Sequence, residues 1–512
     1  MPKPSMLRVV LVGISGAFMV VMDQTIMNVA LPRIIAVFNE TTDRAQLIVS
    51  AYLMASAITI PAAAFLADRF GSKKVFLASE ATFLVGSLFC GISWNIASLI
   101  TFRILQGLAG GVLITLTMAY IFTNVPQENR GTAMAMFGVP TMLAPAIGPT
   151  LGGYLVDFMS WRWVFYINIP IVIIALILGA AWMEETPATG STFDYKGFIL
   201  AAIGFSSLLY ALSYAPTWHW NDPRIISLLA LGGICILIWV IVELRVSQPM
   251  LDLRIFKNVG YSIGIGLSFI TTFGLFSLEF LLPLFLQTVR GLSAFHSGLM
   301  VLPQVFGAIV TLPISGKIYD KIGPRVPIVL GLLVTGLSSL WMQSLDVTTP
   351  DDTLRMILFV RGMGIGLAMM PVTTYALSVI SQKLAGQASA LLNVSKTIFT
   401  SLGVALFATL LDTFQKSNLA MMAQTVTPGS GIGLQVLSEI QILLMQSGIT
   451  ADMAHNQAVQ LLYEIVNQRA LVTAFEMDYV LSALVVLVGI PAAFLLPSGR
   501  IRKSDAQVAP VV

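Results

Sequence analysis

From Leu7 onward the chain is a string of apolar runs of roughly 20 residues, each closed by a short polar break, and this repetition constrains the fold more than any single motif. Coiled into a helix, such a run is roughly 30 Å long, the thickness of a bilayer's hydrocarbon core. Only helices and closed barrels satisfy their backbone hydrogen bonds in lipid, and runs this long without alternation read as helices. With 56% hydrophobic and 10% charged residues, the chain has too little polar surface to cover an aqueous globule. About fourteen windows can be placed by hydropathy. The first is followed directly by Asp23 and Asn28, with no small-residue cleavage site, so it reads as a retained span.

An even number of spans puts both termini on one side. Lys and Arg decide which, because basic loops are retained in the cytoplasm. Placing the N-terminus inside puts Arg69, Lys73, Lys74, Arg245, Lys317, Lys321 and Arg500 there, with a basic excess of about two to one. Both termini are therefore expected in the cytoplasm. No basic cluster suits nucleic acid. Cys90 and Cys235 have no second cysteine nearby, and His219, His296 and His455 form no ligand spacing, so no metal site is expected. There is no Walker loop or nucleophile triad, which argues against an enzyme and against ATP as the energy source.

Internal repetition shows first in the loops. Ala64-Phe65-Leu66-Ala67-Asp68-Arg69-Phe70-Gly71 follows the second span, and Gly316-Lys317-Ile318-Tyr319-Asp320-Lys321-Ile322-Gly323 follows the tenth. Two spans downstream of each, an arginine opens a glycine-rich helix: Arg103-Ile104-Leu105-Gln106-Gly107, and Arg361-Gly362-Met363-Gly364. Two such pairs in one order indicate duplicated halves.

On these motifs the chain resembles the major facilitator superfamily, and within it the fourteen-span drug/proton antiporters of the EmrB/QacA type. Asp68 and Gly71 match the family's loop motif, with Ala64 in place of the usual glycine. Arg103, Gln106 and Gly107 match its fourth-span motif. Met22 to Pro32 and Trp161 to Pro170 resemble signatures of the branch, and Gly138 to Gly153, with Pro145, Gly148, Pro149 and Gly152, resembles an exporter motif in the fifth span. The resemblance covers about residues 7 to 497. It implies an all-α membrane protein with the major facilitator fold, arranged 6 + 2 + 6. Two pseudo-symmetric bundles would occupy 1–190 and 258–512, with two inserted helices in 191–257, a long outer loop at 413–474 and a cytoplasmic tail at 498–512. Gly433 to Gln446 and Ala451 to Arg469 have apolar residues at helical spacing, which predicts a short helix pair in that loop.

The implied function is proton-coupled export of hydrophobic or amphipathic small molecules from a bacterial inner membrane, with H⁺ the coupling ion and no other cofactor. A dedicated exporter of one lipid, peptide, siderophore or antibiotic is the alternative. A receptor or enzyme would need a constellation or soluble domain that the sequence lacks. Besides substrates and lipid, a periplasmic membrane-fusion adaptor meeting 413–474 is the implied partner.

Ionisable groups inside hydrocarbon cost at least about 2.5 to 3.5 kcal/mol each, so the few present point to function. Asp23 lies about 24 Å along an outgoing helix and Arg103 about 8 Å along an incoming one. Both reach the outer third of the membrane, where pairing relieves the cost and makes a proton switch. Spacing suggests a second pair, Glu279 with Arg361, and Lys396 lies near mid-depth. Asp68, Arg69 and Gly71, with Asp320, Lys321 and Gly323, are the expected conformational latch. Gly138, Pro145, Gly148, Pro149, Gly152 and Gly153 belong to a gating helix. Met22, Tyr52, Met118, Phe276, Phe280 and Met370 are expected to line a cavity between the halves.

Overall fold

The computed structural model describes residues 5–185, 194–246, 248–425, 431–447 and 449–499. Residues 191–193, parts of the outer loop and the tail from 500 onward lie outside them. The first bundle contains α1 (Met6–Phe38), α2 (Thr42–Phe70), α3 (Ser72–Gly91), α4 (Ile96–Asn124), α5 (Arg130–Phe158) and a sixth span divided at Ile167 into α6 (Trp163–Tyr166) and α7 (Asn168–Trp182). The inserted pair is α8 (Tyr195–Trp218) and α9 (Pro223–Arg245). The second bundle follows as α10 (Val259–Thr288), α11 (Ala294–Ile322), α12 (Arg325–Trp341), α13 (Asp351–Ser378), α14 (Ala385–Thr425) and, after α15 (Gly431–Gln446), α16 (Ala451–Phe494). Among the described residues, 14 helices are long and apolar enough to cross a membrane.

The repeated loops fold alike. Gly71 alone joins α2 to α3, and Gly323 with Pro324 joins α11 to α12, the two glycines at φ 91° and 94°. A side chain at either position would be strained, which is why glycine closes both motifs. The Arg325 side chain donates to the Leu496 carbonyl, so the last described turn sits against the second loop. We call this side, on which both described ends lie, the terminal face.

The outer loop differs from expectation. Instead of a separate helix pair, both flanking spans extend into the loop, and α15 packs on the extension of α16. No Gly or Pro occurs between Ala451 and Val488, so nothing breaks α16, and its 44 residues run about 66 Å. The 41 residues of α14 run about 60 Å. Both exceed a core of about 30 Å and project well beyond it on the face opposite the termini. Gln415 of α14 donates to Asn467 of α16 at 3.1 Å within this stalk.

The bundles meet at the terminal face. Gly131 of α5 lies against Gly316 of α11, Gly138 of α5 against Met370 of α13, and Gly386 of α14 against Ala64 of α2. Residues 388–394 of α14 and 370–378 of α13 are buried on every face of their helices. Beyond this seal, residues 395–402 of α14 and 139–143 of α5 are all partly accessible. A helix buried all round and then accessible all round has left its packing, so the bundles part into a cleft opening away from the termini. Beside them, α8 packs on both α2 and α14, while α9 packs on α8 at the periphery. Trp220, between α8 and α9, donates from its indole to the Thr409 hydroxyl at 2.8 Å.

Candidate functional site

Asp23 and Arg103 form an ion pair, Nη1 to Oδ2 at 2.5 Å, and both are completely buried. The same Nη1 donates to Gln106 Oε1 at 2.8 Å, and Arg103 Nε donates to the Ile48 carbonyl at 3.3 Å. The Tyr52 ring lies 4.2 Å from the guanidinium carbon, a cation–π contact in a desolvated site. On the other carboxylate oxygen, Asn168 Nδ2 donates at 2.8 Å and Gln106 Nε2 at 3.4 Å. Gln106 also donates to the Ser87 hydroxyl at 2.7 Å. Every helix of the first bundle except α5 places a side chain at this point, with Phe165 of α6 near Arg103. Two opposite charges that share neutral donors and acceptors can stay out of water; removing either one leaves the other buried and uncompensated, at a cost of about 3–5 kcal/mol.

The second bundle does not repeat this pair. No ion pair joins Glu279 and Arg361 among the described residues. Arg361, fully buried, donates to Gln304 Oε1 at 2.5 Å and to the Leu275 carbonyl at 3.4 Å. The reason is register. A methyl group at Gly107 would strike the Tyr52 carbonyl and one at Gly111 the Ser56 carbonyl; at Gly362 it would strike the Gln304 carbonyl and at Gly366 the Ala308 carbonyl. These crossings superimpose Tyr52 on Gln304, Gly107 on Gly362, and hence Gln106, not Arg103, on Arg361. The place of Arg103 is taken by Leu358. On the partner helix, Gly13 faces Ile121 as Gly264 faces Ala376, which puts Gly274 in the place of Asp23. Ser482 donates to the Gly274 carbonyl where Asn168 donates to Asp23. Glu279 therefore stands five residues outward of the expected level and Arg361 three residues inward.

Lys396 Nζ donates to the Thr373 hydroxyl at 2.7 Å and has no carboxylate within 4 Å among the described residues. The loop acids are unequal. Asp320 caps α5 of the other bundle: Oδ1 accepts from Gly131 N–H at 2.8 Å, and Oδ2 accepts from Thr132 N–H at 2.9 Å and from its hydroxyl at 2.6 Å. A carboxylate at a helix N-terminus satisfies orphan donors and complements the dipole. Asp68 and Arg69 lie exposed on the last turn of α2, and Lys321 is exposed beside Asp320. In α5 the helix is unbroken through Pro145. Gly148 faces Thr25 and Gly152 faces Ile26, so both permit close approach to α1. Gly153 does not: a methyl group there would meet nothing within 4 Å. The side chains of Pro149 and Phe276 lie outside the described residues.

The expected cavity lining also needs correction. Met22 and Tyr52 are 1% and 0% exposed, interior to the first bundle, and the Tyr52 ring serves Arg103 instead of a ligand. Met118 is 4% exposed in the interior of the first bundle, and Met370 meets Gly138 across the seal. Phe280 is 38% exposed. Residues not assigned a role from sequence include Asn168, although its motif is visible, and Asp478. The latter is fully buried with neither carboxylate oxygen hydrogen-bonded, as is Glu80 of α3. Asp478 lies near the edge of the last apolar window, where a carboxylate reads as interfacial.

Duplicated six-helix bundles around a cleft sealed at one face define a secondary membrane transporter. The chain belongs to the Major Facilitator Superfamily, whose family model matches residues 13–404. It is 32% identical over 499 residues to the multidrug resistance protein B homolog of Mycobacterium tuberculosis, covering 96% of this chain and 90% of that one. It is 30% identical over 429 residues to the lincomycin resistance protein LmrB of Listeria monocytogenes, covering 83% and 90%. Among solved structures, the human transporter MFSD10 matches at TM-score 0.59 and 14% identity over 94% of this chain and all of that one, a likeness of fold.

Proposed function

We propose that this transporter is a proton-coupled exporter of hydrophobic and amphipathic small molecules, working by alternating access with its terminal face in the cytoplasm of a bacterial cell. The observation that carries this reading is the buried Asp23–Arg103 pair, with its carboxylate held by Asn168. A proton delivered to Asp23 removes the negative charge and leaves Arg103 held by Gln106, the Ile48 carbonyl and the Tyr52 ring. Breaking a buried pair in this way costs on the order of 3–5 kcal/mol, enough to change which arrangement of α1 and α4 is favoured. The change has a contiguous route: α1 touches α5 at Gly148 and Gly152, and the N-terminus of α5 is held by Asp320 across the seal. On this reading the seal faces the cytoplasm and the cleft faces outward.

The resistance named in the titles of the two bacterial relatives supports export of toxic small molecules. The stalk of α14, α15 and α16 is the surface on which an adaptor would dock. The reading is tested with purified protein in liposomes carrying an imposed pH gradient and a panel of lipophilic dyes. Uptake against the dye gradient that collapses with the pH gradient supports antiport. Dye movement indifferent to the pH gradient rejects it.

A further inference from the structure

We infer that Lys396 and Asn393 form a binding site for the anionic oxygen head of an amphipathic substrate at the floor of the cleft. This rests on the exporter reading and names a substrate class for it. Position comes first. Lys396 lies 11 residues into α14, roughly 16 Å from its start and near the middle of the membrane. It falls in the turn where α14 passes from buried on every face, residues 388–394, to partly accessible, residues 395–402. Its ammonium reaches Thr373 of α13. Thr373 is three residues from Met370, which meets Gly138 of the other bundle, so the two share the helix face that looks across the interface. The ammonium is thus directed between the bundles, immediately above the seal.

Hydrogen bonding comes second. Asn393, one turn before Lys396, is buried with its Nδ2 donor lacking an acceptor. Residues at i and i+3 share a face, so a charged donor and an unpaired neutral donor stand together with no carboxylate within reach. Arg361 gives its two Nη groups to Gln304 and the Leu275 carbonyl, and Asp23 is paired with Arg103. A cation at mid-membrane and a buried donor without an acceptor are both costly, and one carboxylate or phosphate oxygen relieves both. One further turn along α14, Phe399 packs edge-on against Phe269 of α10, ring centroids 4.8 Å apart, and both rings are partly accessible. An anionic head at Lys396 therefore places an apolar body against aromatic rings.

The test uses the purified full-length protein and two probes sharing one fluorophore, a twelve-carbon carboxylic acid and its methyl ester. The wild type binds the acid about ten-fold more tightly than the ester, as a hydrogen bond between charged groups requires. Lys396→Gln removes that preference and holds ester affinity within about two-fold, which also reports an intact fold. Lys396→Arg keeps the preference, and Asn393→Leu reduces it. Dodecyl phosphate displaces the bound acid, whereas dodecyltrimethylammonium does not. Equal binding of acid and ester by the wild type, or equal loss of both in Lys396→Gln, overturns the anion site and leaves the exporter reading standing. Failure of the wild type to bind either probe overturns both.

Discussion

Asn168 lies 145 residues from Asp23 in the chain, yet its side-chain amide donates to the Asp23 carboxylate at 2.8 Å. Arg103 neutralises one carboxylate oxygen and Asn168 satisfies the other, so the pair needs no water. Replacing Asn168 with Leu leaves that oxygen only the 3.4 Å contact from Gln106. The expected cost is about 1–3 kcal/mol, read as a lower thermal midpoint in detergent, together with slower export. Export unchanged by Asn168→Leu would remove Asn168 from the site.

Asp23→Asn strands a buried guanidinium. It is expected to abolish gradient-driven export and to destabilise the fold by about 3–5 kcal/mol. The double change Asp23→Asn with Arg103→Gln removes both charges, so most of the stability returns while export does not. Thermal unfolding and liposome transport on the same preparations separate the two effects.

Glu279→Gln is the contrasting case. Since Glu279 has no ion-pair partner among the described residues, neutralising it leaves the thermal midpoint within about 0.5 kcal/mol of wild type, the range of substitutions that break no named interaction. A loss as large as that of Asp23→Asn would mean that Arg361 and Glu279 do pair.

Asp320→Asn removes the carboxylate that spans the seal. With charge-assisted caps worth about 1.5–3 kcal/mol, the sealed arrangement loses roughly ten-fold or more in population. The measurement is labelling of a cysteine placed at Met370 by a membrane-permeant thiol reagent. The rate rises in Asp320→Asn, with turnover impaired and substrate affinity kept.

Glycine contacts give a paired test of register. Gly362→Ala drives a methyl group into the Gln304 backbone and is expected to cost about 1–3 kcal/mol or more. Gly153→Ala meets open space and leaves the thermal midpoint unchanged or higher. Expression level and midpoint in detergent decide both.

Much of this organisation is legible in the residues. Fourteen spans follow from apolar runs, and the depth of Asp23 and Arg103 follows from helical rise alone. The second half resists the same arithmetic. Arg361 and Arg103 each precede a glycine, and spacing aligns them, but helix crossings are set by which glycine admits which carbonyl. Gly107 against Tyr52 and Gly362 against Gln304 place Arg361 over Gln106, a shift of three residues that linear spacing cannot reveal. Partners such as Asn168 and Thr373 are ordinary polar residues until distant helices meet. The length of α16 was obscured differently: a polar helical segment and an apolar span look separate by composition, although no residue between them interrupts the backbone.

The lateral helix α8 touches α2 on one side and α14 on the other. Any rotation of one bundle against the other must therefore slide or tilt α8 against at least one neighbour. On the proposed alternating-access cycle, the inserted pair adds a third body to what would otherwise be a two-body rocker. Because α9 presents most of its surface outward, that third body is the part of the molecule with the largest share of its span turned to the surrounding lipid.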